Sequence, residues 1–240
     1  MRPQFRFLVL AASTVLVACL PTTADAATTP FASKSAAQIL ALTAAAMSKA
    51  GSVRLVNKTE LDGTAAFTLT TDSSPNQGTQ VQDFSGGVET IRLIGRTLFL
   101  NANAAAYSLD YNVSNSTLAN EWVRVPSSNA NYSNIAAAIL MPSLVSNTVG
   151  MKSLKDLGVK RFHGLETVAI KGLPLNLTPG TSETQTVYVS MTAPYLPVGL
   201  STEFLEGVNG AGTSVFSHWG EDVAVTSPTT SVTATSDDFP

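Results

Sequence analysis

A period-two alternation of apolar and polar residues runs across residues 53–101 and restricts that stretch to one kind of fold. Val53, Leu55, Asn57, Thr59 and Leu61 share one face of a strand, and Arg54, Val56, Lys58 and Glu60 share the other. After Asp62-Gly63, Ala65, Phe67 and Leu69 alternate with Ala66, Thr68 and Thr70. A loop at Ser73-Ser74-Pro75-Asn76 leads into residues 80–84, Gly86-Gly87 opens 88–94, and Gly95-Arg96 opens 97–101. Turn formers at intervals of roughly 8–12 residues between alternating segments predict an antiparallel meander. One face of such a sheet is apolar and has to be covered.

The first cover is a helix just upstream. Ser35-Ala36-Ala37-Gln38 is a capping-box pattern, a hydroxyl followed three residues later by a Gln. Ile39, Leu40, Thr43, Ala46 and Met47 then recur at helical spacing, and Gly51 supplies the stop. Beyond Asn101 the pattern changes. Residues 102–111 and 131–140 read as helices, with a further short helix from Pro142 to Val149. Glu121-Trp122-Val123-Arg124-Val125-Pro126 is a short strand stopped by proline. Residues 158–171 predict a hairpin turning at His163-Gly164. Strands follow at 184–191, 198–204 and 213–219, with a Gly-rich turn at Gly207-Val208-Asn209-Gly210 and a short closing strand at 223–225. The class is α+β: one large curved antiparallel sheet with helices gathered on one face.

The first 26 residues read as an export signal, with Arg2 and Arg6 ahead of an apolar run at 7–17 that is too short to span a membrane. Two processing sites follow. Leu16-Val17-Ala18-Cys19 has the pattern of a lipobox, whose cysteine is acylated and becomes the first residue, and Ala24-Asp25-Ala26 fits ordinary signal peptidase. The lipobox is the preferred reading. Cys19 is the only cysteine, so the mature chain has no disulfide and no thiol chemistry. Residues 27–34 read as a linker, 35–226 as one folded domain and 227–240, rich in Thr, Ser and Pro, as a disordered tail. Charged residues make up 13% of the chain, against about 25% in an average protein. The net charge of −3 offers no basic field, which argues against nucleic acid and against electrostatic docking on anionic lipid.

The chain resembles the LppX/LprA/LprG lipoproteins within the wider LolA/LolB-like group. The residues that carry the resemblance occur in order. They are Leu16-Val17-Ala18-Cys19, the N-terminal helix beginning Phe31-Ala32-Ser33-Lys34-Ser35-Ala36-Ala37-Gln38-Ile39-Leu40, and the strand Thr97-Leu98-Phe99-Leu100. Glu121-Trp122-Val123-Arg124-Val125-Pro126, Thr186-Val187-Tyr188-Val189, Tyr195-Leu196-Pro197-Val198 and Phe216-Ser217-His218-Trp219-Gly220-Glu221 complete the series. The resemblance implies an open half-barrel wrapped around helices on its concave face, enclosing an apolar cavity for the acyl chains of a lipid or lipoglycan. It implies a monomeric, non-catalytic carrier at the outer face of the cytoplasmic membrane, held there by acylated Cys19. The alternative is an envelope sensor or protein-interaction domain of the same fold with a filled core.

On that basis the cavity is expected to be lined by Val53, Leu55, Phe67, Leu69, Ile91, Leu93, Phe99 and Trp122 of the sheet, and by Ile135, Ile139 and Leu144 of the helices. Ala-rich helices provide little volume, and close packing does not tolerate voids, so neighbouring side chains or a ligand must fill the space. Nothing in the sequence points to catalysis, metal binding or a cofactor. His163 and His218 are the only histidines and share no ligand spacing. The chain has no G-x-S-x-G elbow, P-loop or Rossmann glycine pattern. Glu121, Glu203, Glu206, Glu221 and Asp222 fall at strand ends or turns, where solvated roles prevail.

Overall fold

The computed structural model describes residues 31–62, 64–113, 117–176, 183–204 and 210–234. The expected signal peptide with Cys19 and Ala26, the linker before Phe31, Gly63, Glu206, the Gly207-Val208-Asn209 part of the last turn and the end of the tail lie outside the described residues.

Helix α1 (Ala36–Ala50) starts and stops where its caps dictate. The Ser35 hydroxyl accepts the Gln38 N–H at 3.3 Å while Gln38 Oε1 accepts the Ser35 N–H at 3.0 Å, closing the capping box. Gly51, at φ 78°, returns its N–H to the Met47 carbonyl at 3.1 Å. The stripe Ile39, Leu40, Thr43 and Met47 is buried.

The alternating stretch forms the predicted meander: β1 (Val53–Leu61), β2 (Thr64–Ser73), β3 (Gln77–Phe84), β4 (Gly87–Ile94) and β5 (Thr97–Ala102). Then come α2 (Ala104–Asp110), β6 (Trp122–Val125), α3 (Tyr132–Ile139) and α4 (Met141–Val149). A second run follows: β7 (Met151–Phe162), β8 (Leu165–Pro174), β9 (Glu183–Ser190), β10 (Pro197–Phe204) and β11 (Gly210–Ser217), with β12 (Val232–Thr233) last. All twelve strands belong to one sheet, ordered β12-β6-β5-β4-β3-β2-β1-β11-β10-β9-β8-β7, and it does not close into a barrel.

This order explains the helical middle. The first run ends at β6, near one edge of the sheet, and the second begins at β7, the other edge. The intervening chain must therefore cross the whole concave face, and α3 and α4 are that crossing. The Met141 N–H bonds the Ser74 carbonyl at 3.1 Å as α4 starts, and the Gly150 carbonyl accepts from Leu175 at 2.8 Å just after it ends.

Cross-strand register assigns the faces. Leu55 lies opposite Thr71, Thr71 opposite Gln80, Gln80 opposite Ile91, and Ile91 opposite Leu100, so these residues share the helix-covered face. Three apolar clusters form there. One holds Phe84, Ile91, Leu93, Leu98, Leu100, Val123 and Val125 against α2 and α3. A second joins Phe31, Ile39 and Leu40 to Val168, Ile170, Val187 and Val189. Between them Met47, Val53, Met141 and Phe216 form a third.

The end of the chain departs from expectation. Residues 223–225 form no strand. The chain runs over the convex face, where Gln77 Nε2 donates to the Val223 carbonyl at 2.6 Å and Arg92 to that of Thr226 at 3.0 Å. Val232 and Thr233 then pair with Val123 and Arg124 as a parallel edge strand, which makes the sheet mixed. Ala234 is 5% exposed. The expected disorder from residue 227 therefore does not hold as far as Ala234. Side-chain donors of the sheet capture the backbone of this polar segment, and no apolar periodicity records such contacts.

On the convex face, Phe162 stacks on Tyr188 with centroids 4.4 Å apart and lies directly over Gly199, where an added Cβ would overlap its ring. Gly199→Ala is expected to cost about 1–3 kcal/mol in urea unfolding through this overlap. Phe162→Ala should relieve most of that penalty in the double mutant, as a double-mutant cycle reads directly.

Candidate functional site

The middle of the concave face is lined by β1, β2 and β11, flanked by α4. Asn57 lies opposite Leu69 on β2 and opposite Ser214 on β11, and Thr59 lies opposite Phe67. Asn57 Nδ2 donates to the Ser214 hydroxyl at 2.9 Å, and the Thr59 hydroxyl donates to Asn57 Oδ1 at 3.0 Å. This short chain satisfies the polar groups of the floor internally. The apolar side chains beside it are only partly buried: Leu55, Phe67 and Leu69 on the strands, Leu144 and Val145 on α4. Half-buried leucine and phenylalanine on the inner face of the central strands make this the candidate surface for an apolar ligand.

The expected cavity residues divide into three groups. Leu55, Phe67, Leu69 and Leu144 are on the concave side and half-buried. Val53, Ile91, Leu93, Ile135 and Ile139 are on the same face but are packed into the clusters at 0–7% exposure. Phe99 and Trp122 are on the opposite face. Phe99 pairs with Arg92 and Arg124, Trp122 pairs with Asn101, and the Arg92 guanidinium stacks over the Trp122 ring at 4.4 Å. Their aromatic bulk suggests an interior place, but strand parity puts them outside, between Leu98 and Leu100 and beside Val123. Phe99 is still buried because the C-terminal segment crosses there on its way from Arg92 to β12.

One feature of the concave face was not anticipated. Glu89, 1% exposed, projects inward in line with Ile91 and Leu93, at the end of the sheet capped by α2. Gln82 Nε2 donates to its Oε1 at 3.3 Å, and Oε2 is buried without a partner. Asp110, the last residue of α2, has both oxygens buried and unpartnered. Tyr107 and Tyr111 of the same helical end pack at 5.9 Å between centroids. Burial pushes the Glu89 carboxyl up to about 7 against the opposing hydrogen bonds from Tyr111 and Gln82. Burial, with Glu89 as a second cause, pushes Asp110 up to about 8. Tyr111 is raised as well, by burial first and then by both carboxylates. Among the described residues no ion pair involves Glu89 or Asp110. The signal was present in the sequence: a Glu in phase with Ile91 and Leu93 is an acid on an apolar face.

The histidines stand apart. His163 sits in the β7–β8 turn, edge-on to Phe162 at 4.6 Å, and His218 follows β11, 2.9 Å from Glu221. Strands β9 and β10 lie between them. Glu203 is held by Lys171 at 2.8 Å, which lowers its carboxyl below the usual range. Among the described residues no group of three or more His, Cys, Asp or Glu is placed to hold a metal ion. No helix among them is long and apolar enough to cross a membrane.

An open twelve-stranded sheet with crossing helices is a fold already seen in solved structures. The chain is similar to the crystal structure of lipoprotein LppX of Mycobacterium tuberculosis, at 20% identity and a TM-score of 0.50, over 80% of this chain and 100% of that one. It is likewise similar to LprF of Mycobacterium bovis, at 14% identity and a TM-score of 0.50, over 80% and 96% of the two chains. The resemblance expected from the sequence thus holds at the level of the fold. No family model and no curated protein sequence matches the chain.

The buried acids set a pH dependence with a definite sign. Both carboxyls titrate higher in the folded protein than in the unfolded chain, so between about pH 4 and about pH 8 the folded state binds more protons. Stability therefore falls as pH rises through that window. The thermal midpoint is expected to be higher at pH 5 than at pH 8, and Glu89→Gln with Asp110→Asn should flatten the profile and raise the midpoint at pH 8. Calorimetry across the range checks this.

Proposed function

We propose that this protein is an exported lipid carrier, anchored through acylated Cys19, which holds the acyl chains of a lipid or lipoglycan in the concave groove without catalysing a reaction. The observation that carries the reading is the half-buried apolar floor of Leu55, Phe67 and Leu69 in the middle of the sheet. Strands so central are normally sealed, and here α1 and α4 pack on Val53 and Phe216 of β1 and β11 while Leu55, Phe67 and Leu69 beside them stay half-buried. An acyl chain laid along the floor gains about 0.8 kcal/mol per buried methylene, so a groove of modest length holds it tightly. The likeness in fold to two lipoproteins supports the assignment, and the lipobox supports the address.

The second reading, an interaction domain with a filled core, draws support from five of the expected lining residues, Val53, Ile91, Leu93, Ile135 and Ile139. They pack at 0–7% exposure and leave no room beside them.

Native mass spectrometry of the exported protein, purified without detergent, separates the two. Adducts of lipid mass that vanish on denaturation are expected. Leu69→Trp should reduce them by roughly tenfold, since displacing two methylenes forfeits about 1.6 kcal/mol. A clean apo mass that persists after incubation with envelope lipids would overturn the carrier reading and favour the filled core.

A further inference from the structure

The net charge of −3 conceals a segregation of charge. Strand β7 ends the sheet, so one of its sides has no neighbouring strand. Lys152, Lys155, Lys160 and Arg161 lie along it and all are exposed. None of them takes part in the ion pairs recorded among the described residues. Two acids share the hairpin. Asp156 accepts the Gly158 N–H at 2.7 Å, and Glu166 lies across the ladder from Arg161. Val159 and Leu165, near the turn, are 49% and 56% exposed. By register Lys152, Lys155, Lys160 and Leu165 are on the convex side and Val159 and Arg161 on the concave side, so the free edge presents cations and bare apolar side chains on both of its sides.

A free edge can recruit another strand, but this one is badly shaped for it. Its ladder with β8 slips between Lys152 and Lys155 and again between Asp156 and Val159, with Ser153 at φ 53° and Gly158 at φ 71°. Such bulges bend the edge and break the regular spacing of its backbone donors and acceptors, and lysines repel an incoming strand. A surface of many phosphates makes no demand on backbone register, so it fits this edge better than an extended peptide.

The start of the described chain points the same way. Phe31 stacks on Tyr195 with centroids 4.0 Å apart and is buried with Met151, Val168, Ile170, Val187 and Val189. Tyr195 lies in the β9–β10 connection, at the same end of the sheet as the His163-Gly164 turn. The twelve residues from Cys19 to Phe31 reach about 40 Å at most when fully extended. A chain anchored at Cys19 therefore keeps the basic edge near the membrane.

We propose that the β7 edge and the tip of the β7–β8 hairpin form a docking surface for an anionic phospholipid bilayer. Lys152, Lys155, Lys160 and Arg161 meet headgroup phosphates, and Val159 and Leu165 enter the interface. Docking is independent of whether the groove carries a lipid.

The test uses the exported protein carrying Cys19→Ala, so that no acyl anchor forms, sedimented with vesicles of phosphatidylcholine alone or mixed with phosphatidylglycerol. Binding to the mixed vesicles at low ionic strength is expected, with none to phosphatidylcholine alone and release on adding salt. Each basic side chain near such a surface contributes roughly fivefold in partitioning. The triple variant Lys155→Glu, Lys160→Glu, Arg161→Glu should therefore bind at least about tenfold more weakly. Lys58→Glu, on an exposed site of β1, should bind as the parent does. If the triple variant fails to fold, the lipid and salt dependence of the parent decides. Absence of binding at low salt, equal binding to both vesicles, or undiminished binding by the folded triple variant would overturn the proposal. So would a dimer in gel filtration without vesicle binding, which would assign the edge to a second copy. Lipid adducts in the mass spectrum are a separate readout, so failure of docking and failure of the carrier reading are distinguishable.

Discussion

The ladder between β1 and β11 holds the two halves of the chain together. It runs from Arg54 opposite Ser217 to Leu61 opposite Gly210, joining residues more than 140 positions apart in the chain. Each half is a local meander whose hairpins form between neighbours. Without this ladder they would be two smaller sheets, each with an open central edge. With it they become one curved surface, wide enough that the chain must traverse it to get from β6 to β7. The crossing helices and the concave face they cover both follow from that single long-range pairing. Closing so long a loop adds little further entropy once a loop is already long, because the cost grows only logarithmically.

The cover is uneven because the crossing is short. Helices α2 and α3 seal the β3–β6 end, and α1 with α4 covers the β7–β10 side and the Val53 and Phe216 part of β1 and β11. The central strands receive Asn57, Thr59 and Ser214, which satisfy one another, and apolar neighbours left partly open. Under α2 lie two carboxyl groups, Glu89 and Asp110, with no ion pair to either among the described residues. Burying their charge costs free energy, and burial raises the pKa of both. The convex face has a different economy. Arg54 and Asp72 pair there at 2.6 Å, Arg92 stacks on Trp122, and the last described residues are strapped across by hydrogen bonds from Gln77 and Arg92.

Much of this was legible in the residues. The capping box at Ser35 and the glycine at 51 mark α1 to within a residue. Alternation with Gly and Asn turns marks β1 to β5, and His163-Gly164 marks the β7–β8 turn. Of the expected lining residues, Leu55, Phe67, Leu69 and Leu144 are half-buried on the concave side. The bulk of Phe99 and Trp122 suggests an interior place, but strand parity puts both outside. Leu98 and Leu100 already claim the inner face of β5, and alternation leaves Phe99 outside. Glu89 is legible by the same alternation, which places an acid in line with Ile91 and Leu93 on the apolar face. The charge on β7 was hidden by averaging over the whole chain.

Local order was set by the sequence alone. Helix caps, strand alternation and turn residues act over a few positions, and their energies depend on neighbours in the chain. Which edges meet, which face is covered and how completely were decided only by the tertiary structure. The β1–β11 ladder, the strap of the C-terminal segment and the meeting of Glu89 with Asp110 and Tyr111 depend on groups far apart in sequence, and no periodicity encodes such distances.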